Sequence, residues 1–188
     1  AKNARDPHIR DEELTCIEFS NTDGSSIIAT WLIFPCHPEV LWNENPHITS
    51  DYADSLRKKV ETETSAPAIF MVGALGGMMT PDVVQHNFAE SSAMGDTLAD
   101  AALKALKSAE TKTATGLSYA RQVFTIPMQS FLFEEASKAG LLPDVQDGDG
   151  NMTSETGLLK LGSVWLAIIP GELLPKLGLQ LKAEMRGA

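Results

Sequence analysis

Residues 34–40 read Phe-Pro-Cys-His-Pro-Glu-Val, so Cys36, His37 and Glu39 bring a thiol, an imidazole and a carboxylate into four consecutive positions. They directly follow the apolar run "SIIATWLIF", at the point where a strand must give way to a polar loop. Such strand ends are where α/β folds keep their chemistry. A neutral imidazole at a rigid strand end is a good zinc ligand. The same spacing also suits a turn histidine hydrogen-bonded to backbone. No His-x-His or His-x-x-x-His pair accompanies His37, and His8, His47 and His86 are scattered in polar segments. A third use of the stretch is Cys36 as a nucleophile, for which His86 is the one downstream histidine to be weighed as a base.

Two further stretches offer chemistry. Gly73-Ala74-Leu75-Gly76-Gly77 follows an apolar run, and glycines there permit either a tight turn or close approach of backbone to a ligand. The stretch matches neither a phosphate loop, having no lysine, nor a nucleophile elbow, having no serine. Pro170-Gly171-Glu172 joins an apolar strand to an amphipathic helix. Glu172 is either a first-turn glutamate or a carboxylate presented to a metal. Asp147-Gly148-Asp149-Gly150-Asn151 opens like a calcium loop but then fails, with Met152 at the glycine position and Leu158 at that of the bidentate glutamate. A turn is expected there.

The elements that must hold these residues follow from periodicity. "LTCIEFS" and "IIATWLIF" flank "NTDGSS", which predicts an antiparallel hairpin of 14–20 with 26–34. A long loop is expected over 35–50. The spacing of Ala53, Leu56 and Val60 predicts a helix capped by Ser50 or Asp51. "APAIFMVGAL" is expected to be a strand of the same sheet, buried on both faces. Helix is expected over 86–109, strand over 117–128, and a helix closed by Gly140 over 129–140. A loop over 142–155 precedes two short strands, or one hairpin, around Leu161-Gly162-Ser163. The last helix should present Leu173 or Leu174, Leu177, Leu181 and Met185 on one face. Strands alternate with helices, so the expected class is α/β, a mixed sheet with flanking helices.

Composition bounds the rest. The 188 residues are 43% hydrophobic and 21% charged, ordinary for one globular domain. A net charge of -10 disfavours nucleic acid as a partner. No apolar run approaches the roughly 20 residues that cross a bilayer, and none reads as a signal peptide. The chain begins at Ala1, so an upstream segment is expected. Cys16 and Cys36 are too few for a disulfide framework. They are read as two buried thiols, with a single bridge as the alternative.

Taken in order, the strand leading into "CHPE", then "HITSDYADSLRKKVE", then "APAIFMVGALGG" with "TPD", then "GSVWLAIIPGELLPKLGLQLK", resemble the neutral/alkaline non-lysosomal ceramidase family. That family shows a strand ending in His-Pro and an Ile-Ser-x-Asp segment opening a helix. It also has a strand running into a Gly-Asp-Ser/Thr-Pro turn, and a Pro-Gly-Glu junction. The resemblance implies a zinc-dependent hydrolase that cleaves the N-acyl amide bond of ceramide, on part or all of a larger ceramidase-like catalytic domain. It makes His37 and Glu172 metal ligands, whose ligating atoms should then lie roughly 3–5 Å apart. Further ligands, a histidine upstream and a tyrosine downstream, would lie outside this chain. Asp51 would orient a ligand, and the backbone amides around Gly76 and Gly77 would hold an oxyanion. The expected partner is a small-molecule or lipid amide, and the implied address is secreted or periplasmic.

The sequence also departs from the family pattern. Leu75 and Gly77 stand where ceramidases carry a serine and an aspartate near the scissile amide. That departure supports a competing expectation, a catalytically silent domain kept for binding or assembly.

Overall fold

The computed structural model describes residues 1–113, 115–142 and 150–187. They fall into two units, Ala1–Lys112 with Glu172–Ala188, and Thr113–Gly171. The first unit holds β1 (Lys2–Asn3), β2 (Thr15–Ser20), β3 (Ile27–Phe34), α1 (Tyr52–Thr64), β4 (Ala68–Val72), β5 (Met79–Thr80) and α2 (Phe88–Lys107). The second unit holds β6 (Leu117–Pro127), α3 (Phe131–Lys138), β7 (Asn151–Leu161) and β8 (Val164–Ile168). The chain then re-enters the first unit as α4 (Pro175–Gly187). The class is mixed α/β, with three small sheets and four α-helices among the described residues.

The main sheet of the first unit has the order β2-β3-β4. β2 and β3 are antiparallel, in register from Thr15 opposite Ile33 to Phe19 opposite Ala29. β4 lies parallel to β3, with Leu32 beside Phe70 and Phe34 beside Val72. A parallel neighbour needs a crossover, and α1 lies within it. Leu32 and Ala68 of the sheet pack on Leu56 and Val60 of α1 and on Ala99 and Ala102 of α2. The helices touch closely because Gly95 lacks a side chain: a Cβ there would sit 2.5 Å from the Tyr52 carbonyl oxygen.

β4 was expected to be buried on both faces and is not. Its alternate residues Ala68 and Phe70 join the core, whereas Ile69 is 45% exposed. β4 is an edge strand, and the core residues of α1 and α2 gather on one face of the sheet. The apolar run therefore reported strand, but not two-sided burial. Near the start of the chain β1 pairs with β5. One smaller expectation also changes. On α4 the inward positions are Pro175 and Gly178, and Leu177 is 48% exposed. The helix packs through Gly178 because an added Cβ would lie 2.4 Å from the Ala74 Cβ. Lys182 fastens the far end of the helix, donating to the buried Asp11 carboxylate at 2.7 Å.

In the second unit β6, β7 and β8 form an antiparallel sheet. The hairpin turn falls at Gly162, as the sequence implied, where φ is +56°. β7 begins at Asn151, so 151–155 is strand rather than the expected loop. The ladder to β6, from Asn151 opposite Pro127 onwards, sets this polar stretch as strand although none of its residues is fully buried. The Asp147–Asp149 part of the calcium-like stretch lies outside the described residues. Among the described residues no helix is long and apolar enough to cross a membrane.

Candidate metal centre

β3 ends at Phe34, and the next residues are held by backbone bonds. The Cys36 N–H donates to Phe34 O at 3.0 Å, the His37 N–H to Met79 O at 2.8 Å, and the Glu39 N–H to His37 O at 3.0 Å. The Tyr52 phenol donates to Cys36 O at 2.6 Å from inside the core. Burial, first of all, pushes that phenol well above its usual range, so it stays protonated and donating. His37 is thus fixed at both its amide and its neighbouring carbonyls, which limits where the ring can go.

The ring Nε2 is buried and has no hydrogen-bond partner. The nearest charged group is the Glu172 carboxylate, with Oε2 at 3.7 Å. That is beyond hydrogen-bond reach. Two donors about 2.0–2.2 Å from a tetrahedral zinc lie roughly 3.3–3.5 Å apart, so the spacing suits two ligands of one ion. Neutral imidazole and carboxylate are also a donor set that zinc accepts. Glu172 is 61% exposed and His37 is 18% exposed, so the pair lies at the surface end of the sheet. Among the described residues no group of three His, Cys, Asp or Glu side chains gathers at a possible metal position.

Glu172 is delivered by the close approach of the glycine turn. The Gly76 N–H donates to Leu173 O at 2.9 Å. A Cβ on Gly76 would meet Glu172 O at 2.2 Å, so no side chain fits there. This donor is therefore already used, and of the two proposed oxyanion amides only that of Gly77 makes no hydrogen bond within the described residues. Gly77 has a φ of +74°, which the turn requires.

Asp51 touches neither His37 nor Glu172 by hydrogen bond. Its Oδ2 accepts from the Leu41 N–H at 2.9 Å, and its Oδ1 from the Tyr52 N–H at 2.7 Å. The residue is 5% exposed and has a φ of +54°, a strained conformation that these bonds hold in place. Its connection to His37 runs through the loop backbone that it and Tyr52 pin. Beside that loop a cleft of about 450 Å³ is lined by Pro38, Glu39, Trp42, Asn45, Thr49 and Asp51. Glu39 has a buried oxygen with no hydrogen-bond partner.

The remaining candidates lie apart. Cys16 and Cys36 are free thiols. Burial pushes Cys36 up to about 12, the opposite of what a nucleophile needs. The His86 ring contacts Val40 O through Nδ1 at 2.7 Å and packs by Trp42, so it supports the loop. His8 and His47 are exposed. Tyr52 was missed as a clamp, although its place on the apolar stripe with Leu56 marked it as buried. Met79 carries no local signal at all, since only its carbonyl is used.

No protein-family model matches the chain, and no curated protein matches it. Solved structures do. One is a neutral ceramidase from Pseudomonas aeruginosa, with a TM-score of 0.70 and 15% identity over 95% of this chain and 38% of that one. Another is a ceramidase complexed with C2, with a TM-score of 0.70 and 13% identity over 95% of this chain and 40% of that one. The chain thus spans well under half the length of the structures that it matches. At such identity the likeness is one of fold: the described residues have a ceramidase-like mixed α/β fold.

Proposed function

We propose that the chain carries part of the active site of a zinc-dependent hydrolase acting on an N-acyl amide bond, with His37 and Glu172 as two of the metal ligands. The observation that carries this reading is the buried, unpartnered Nε2 of His37 held 3.7 Å from the Glu172 carboxylate. The ceramidase-like fold supports it. When bound, zinc supplies Lewis acidity for polarising a carbonyl and activating water. The chain's own residues hold the two donor atoms in place. Met79 O and the Tyr52 phenol fix the histidine segment, and the Gly76–Leu173 bond fixes the glutamate segment. The Gly77 N–H is the donor left to meet a developing oxyanion.

Leucine at position 75 can neither donate a hydrogen bond nor move a proton, and Gly77 carries no carboxylate. Ceramide is therefore a poor substrate on this reading, and smaller or more polar N-acyl compounds fare better. Turnover of ceramide and of short N-acyl compounds by the zinc-loaded protein tests it. Hydrolysis of the short compounds, lost in His37→Ala, is the expected result, and efficient ceramide turnover contradicts the weight placed on Leu75 and Gly77.

A second reading is a catalytically silent domain of the same fold. It is favoured by those two positions and by the lack of a third ligating side chain among the described residues. Catalytic zinc sites normally draw three ligands from protein. No turnover of any acyl substrate favours this reading.

A further inference from the structure

The cleft of about 450 Å³ beside the loop after His37 lies within the roughly 300–1,000 Å³ usual for small-molecule sites. Its walls are tied to one another. The Trp42 N–H donates to Glu39 O at 3.2 Å, which turns the chain between them. The Leu41 N–H donates to Asp51 Oδ2 at 2.9 Å, and the Asp51 N–H to Thr49 Oγ1 at 3.0 Å. The two sides of the cleft are therefore joined by hydrogen bonds.

The acceptor in the wall is Glu39. It has a buried carboxylate oxygen with no hydrogen-bond partner, and among the described residues it is the one carboxylate of which this is true. A buried charged acceptor without a donor is costly, and a bound donor removes that cost. The described residues that line the cleft include two carboxylates, Glu39 and Asp51, and no Lys, Arg or His. Both oxygens of Asp51 already accept from backbone N–H groups, so Glu39 is the one left for a ligand.

Trp42 supplies an aromatic wall. It is 47% exposed and has a φ of +53°, a costly conformation for a bulky residue. The His86 ring lies beside it at 5.6 Å between centroids, and its Nδ1 contacts Val40 O at 2.7 Å, so the indole is supported from one side. An indole next to a carboxylate attracts an organic cation. A hard metal ion is poorly served, because it takes six or more oxygens and only one carboxylate is open. A neutral sugar would meet the ring but leave the charge of Glu39 unbalanced.

We propose that this cleft binds a primary ammonium ion on a short carbon chain, with its N–H groups donating to Glu39 and its charge against the Trp42 ring. Pro38 and Leu41 of the same wall take the carbon chain. The site does not depend on the hydrolase reading, which uses none of these residues as metal ligands.

The test is binding of n-butylammonium chloride against neutral 1-butanol. Each is titrated at neutral pH into the full chain without added zinc and followed by amide NMR shifts. The amine should bind at least about tenfold more tightly, with the largest shifts over residues 39–45 and at Thr49 and Asp51. The preference should shrink in high salt. Glu39→Gln keeps the shape of the side chain and removes its charge, so it should lower the amine-over-alcohol ratio about fivefold or more. Trp42→Leu should lower it about threefold. Trp42 is half exposed, so its variant keeps the test intact if Glu39→Gln folds badly. Glu63→Gln, at an exposed position of α1, should leave the ratio unchanged. It separates a site from the general attraction of a chain with a net charge of -10. Equal affinity for the two compounds, a preference that survives in both cleft variants, or one that Glu63→Gln lowers as much, overturns the proposal. So does an absence of shifts at about 50 mM amine. Calcium chloride that shifts the same amides and displaces the amine would overturn it in favour of a metal site.

Discussion

Gly76 donates its N–H to Leu173 O at 2.9 Å, and its missing side chain leaves room for the Glu172 carbonyl, which a Cβ would meet at 2.2 Å. The contact joins the turn after β4 to the segment that carries Glu172. Gly76→Ala must therefore push that segment away, because backbone cannot rotate aside as a side chain can. A loss of about 1–3 kcal/mol of stability is expected from overpacking. Zinc affinity should fall by about tenfold or more, as it does when the support of a ligand is disturbed. Urea denaturation and a zinc titration of the same variant check both parts. An unchanged zinc affinity would mean that this contact does not set the position of Glu172.

The phenol of Tyr52 is the buried partner of Cys36 O. Tyr52→Phe keeps the ring and its edge contact with Phe70 while it removes the donor. The carbonyl is then left unpaired, at a cost of about 1–3 kcal/mol. The His37 segment loses one of its restraints, so zinc affinity should weaken along with stability. Chemical denaturation separates this from Asp51→Asn, in which the amide must turn a donor towards the N–H of Leu41 or Tyr52.

Stability at alkaline pH should depend on the thiols. Burial pushes Cys36 up to about 12 and Cys16 up to about 11, from an ordinary value near 9. The unfolded chain then loses these protons first. The contribution is complete below about pH 9 and is lost as pH rises through 9 towards 11–12. Between those limits each thiol adds a slope of about 1.4 kcal/mol per pH unit. Cys36→Ala should be less stable at neutral pH, from the cavity, yet show a shallower decline above pH 9. Denaturation midpoints from pH 7 to 11 report the two slopes, and parallel curves would exclude the thiol as the cause.

The hairpin of β2 and β3, the helix stripe of Leu56 and Val60, and the strand over Ala68–Val72 were legible because periodicity and turn residues are local signals. One-sided burial of β4 was not, because it depends on what covers the sheet. The inward face of α4 was misread for a related reason. A leucine stripe marks apolar residues, but close packing on Ala74 selects Gly178. At the site, a histidine at a strand end and a glutamate at a junction were visible as residue types. Their spacing in three dimensions arises from the Gly76–Leu173 contact, which no local pattern encodes.

The central claim is that His37 and Glu172 share one zinc ion, and zinc titration against a chromophoric chelator tests it most directly. The wild-type chain, His37→Ala and Glu172→Gln are compared at neutral pH, with circular dichroism to show that each is folded. The account predicts that the wild-type chain binds zinc, weakly because it holds only two of the ligands, and that affinity is at least about tenfold weaker still in each variant. Because the two residues serve one ion, the double variant should lose little more than either single one. A wild-type chain that binds no zinc, or variants that bind it as tightly as the wild type, would contradict the account.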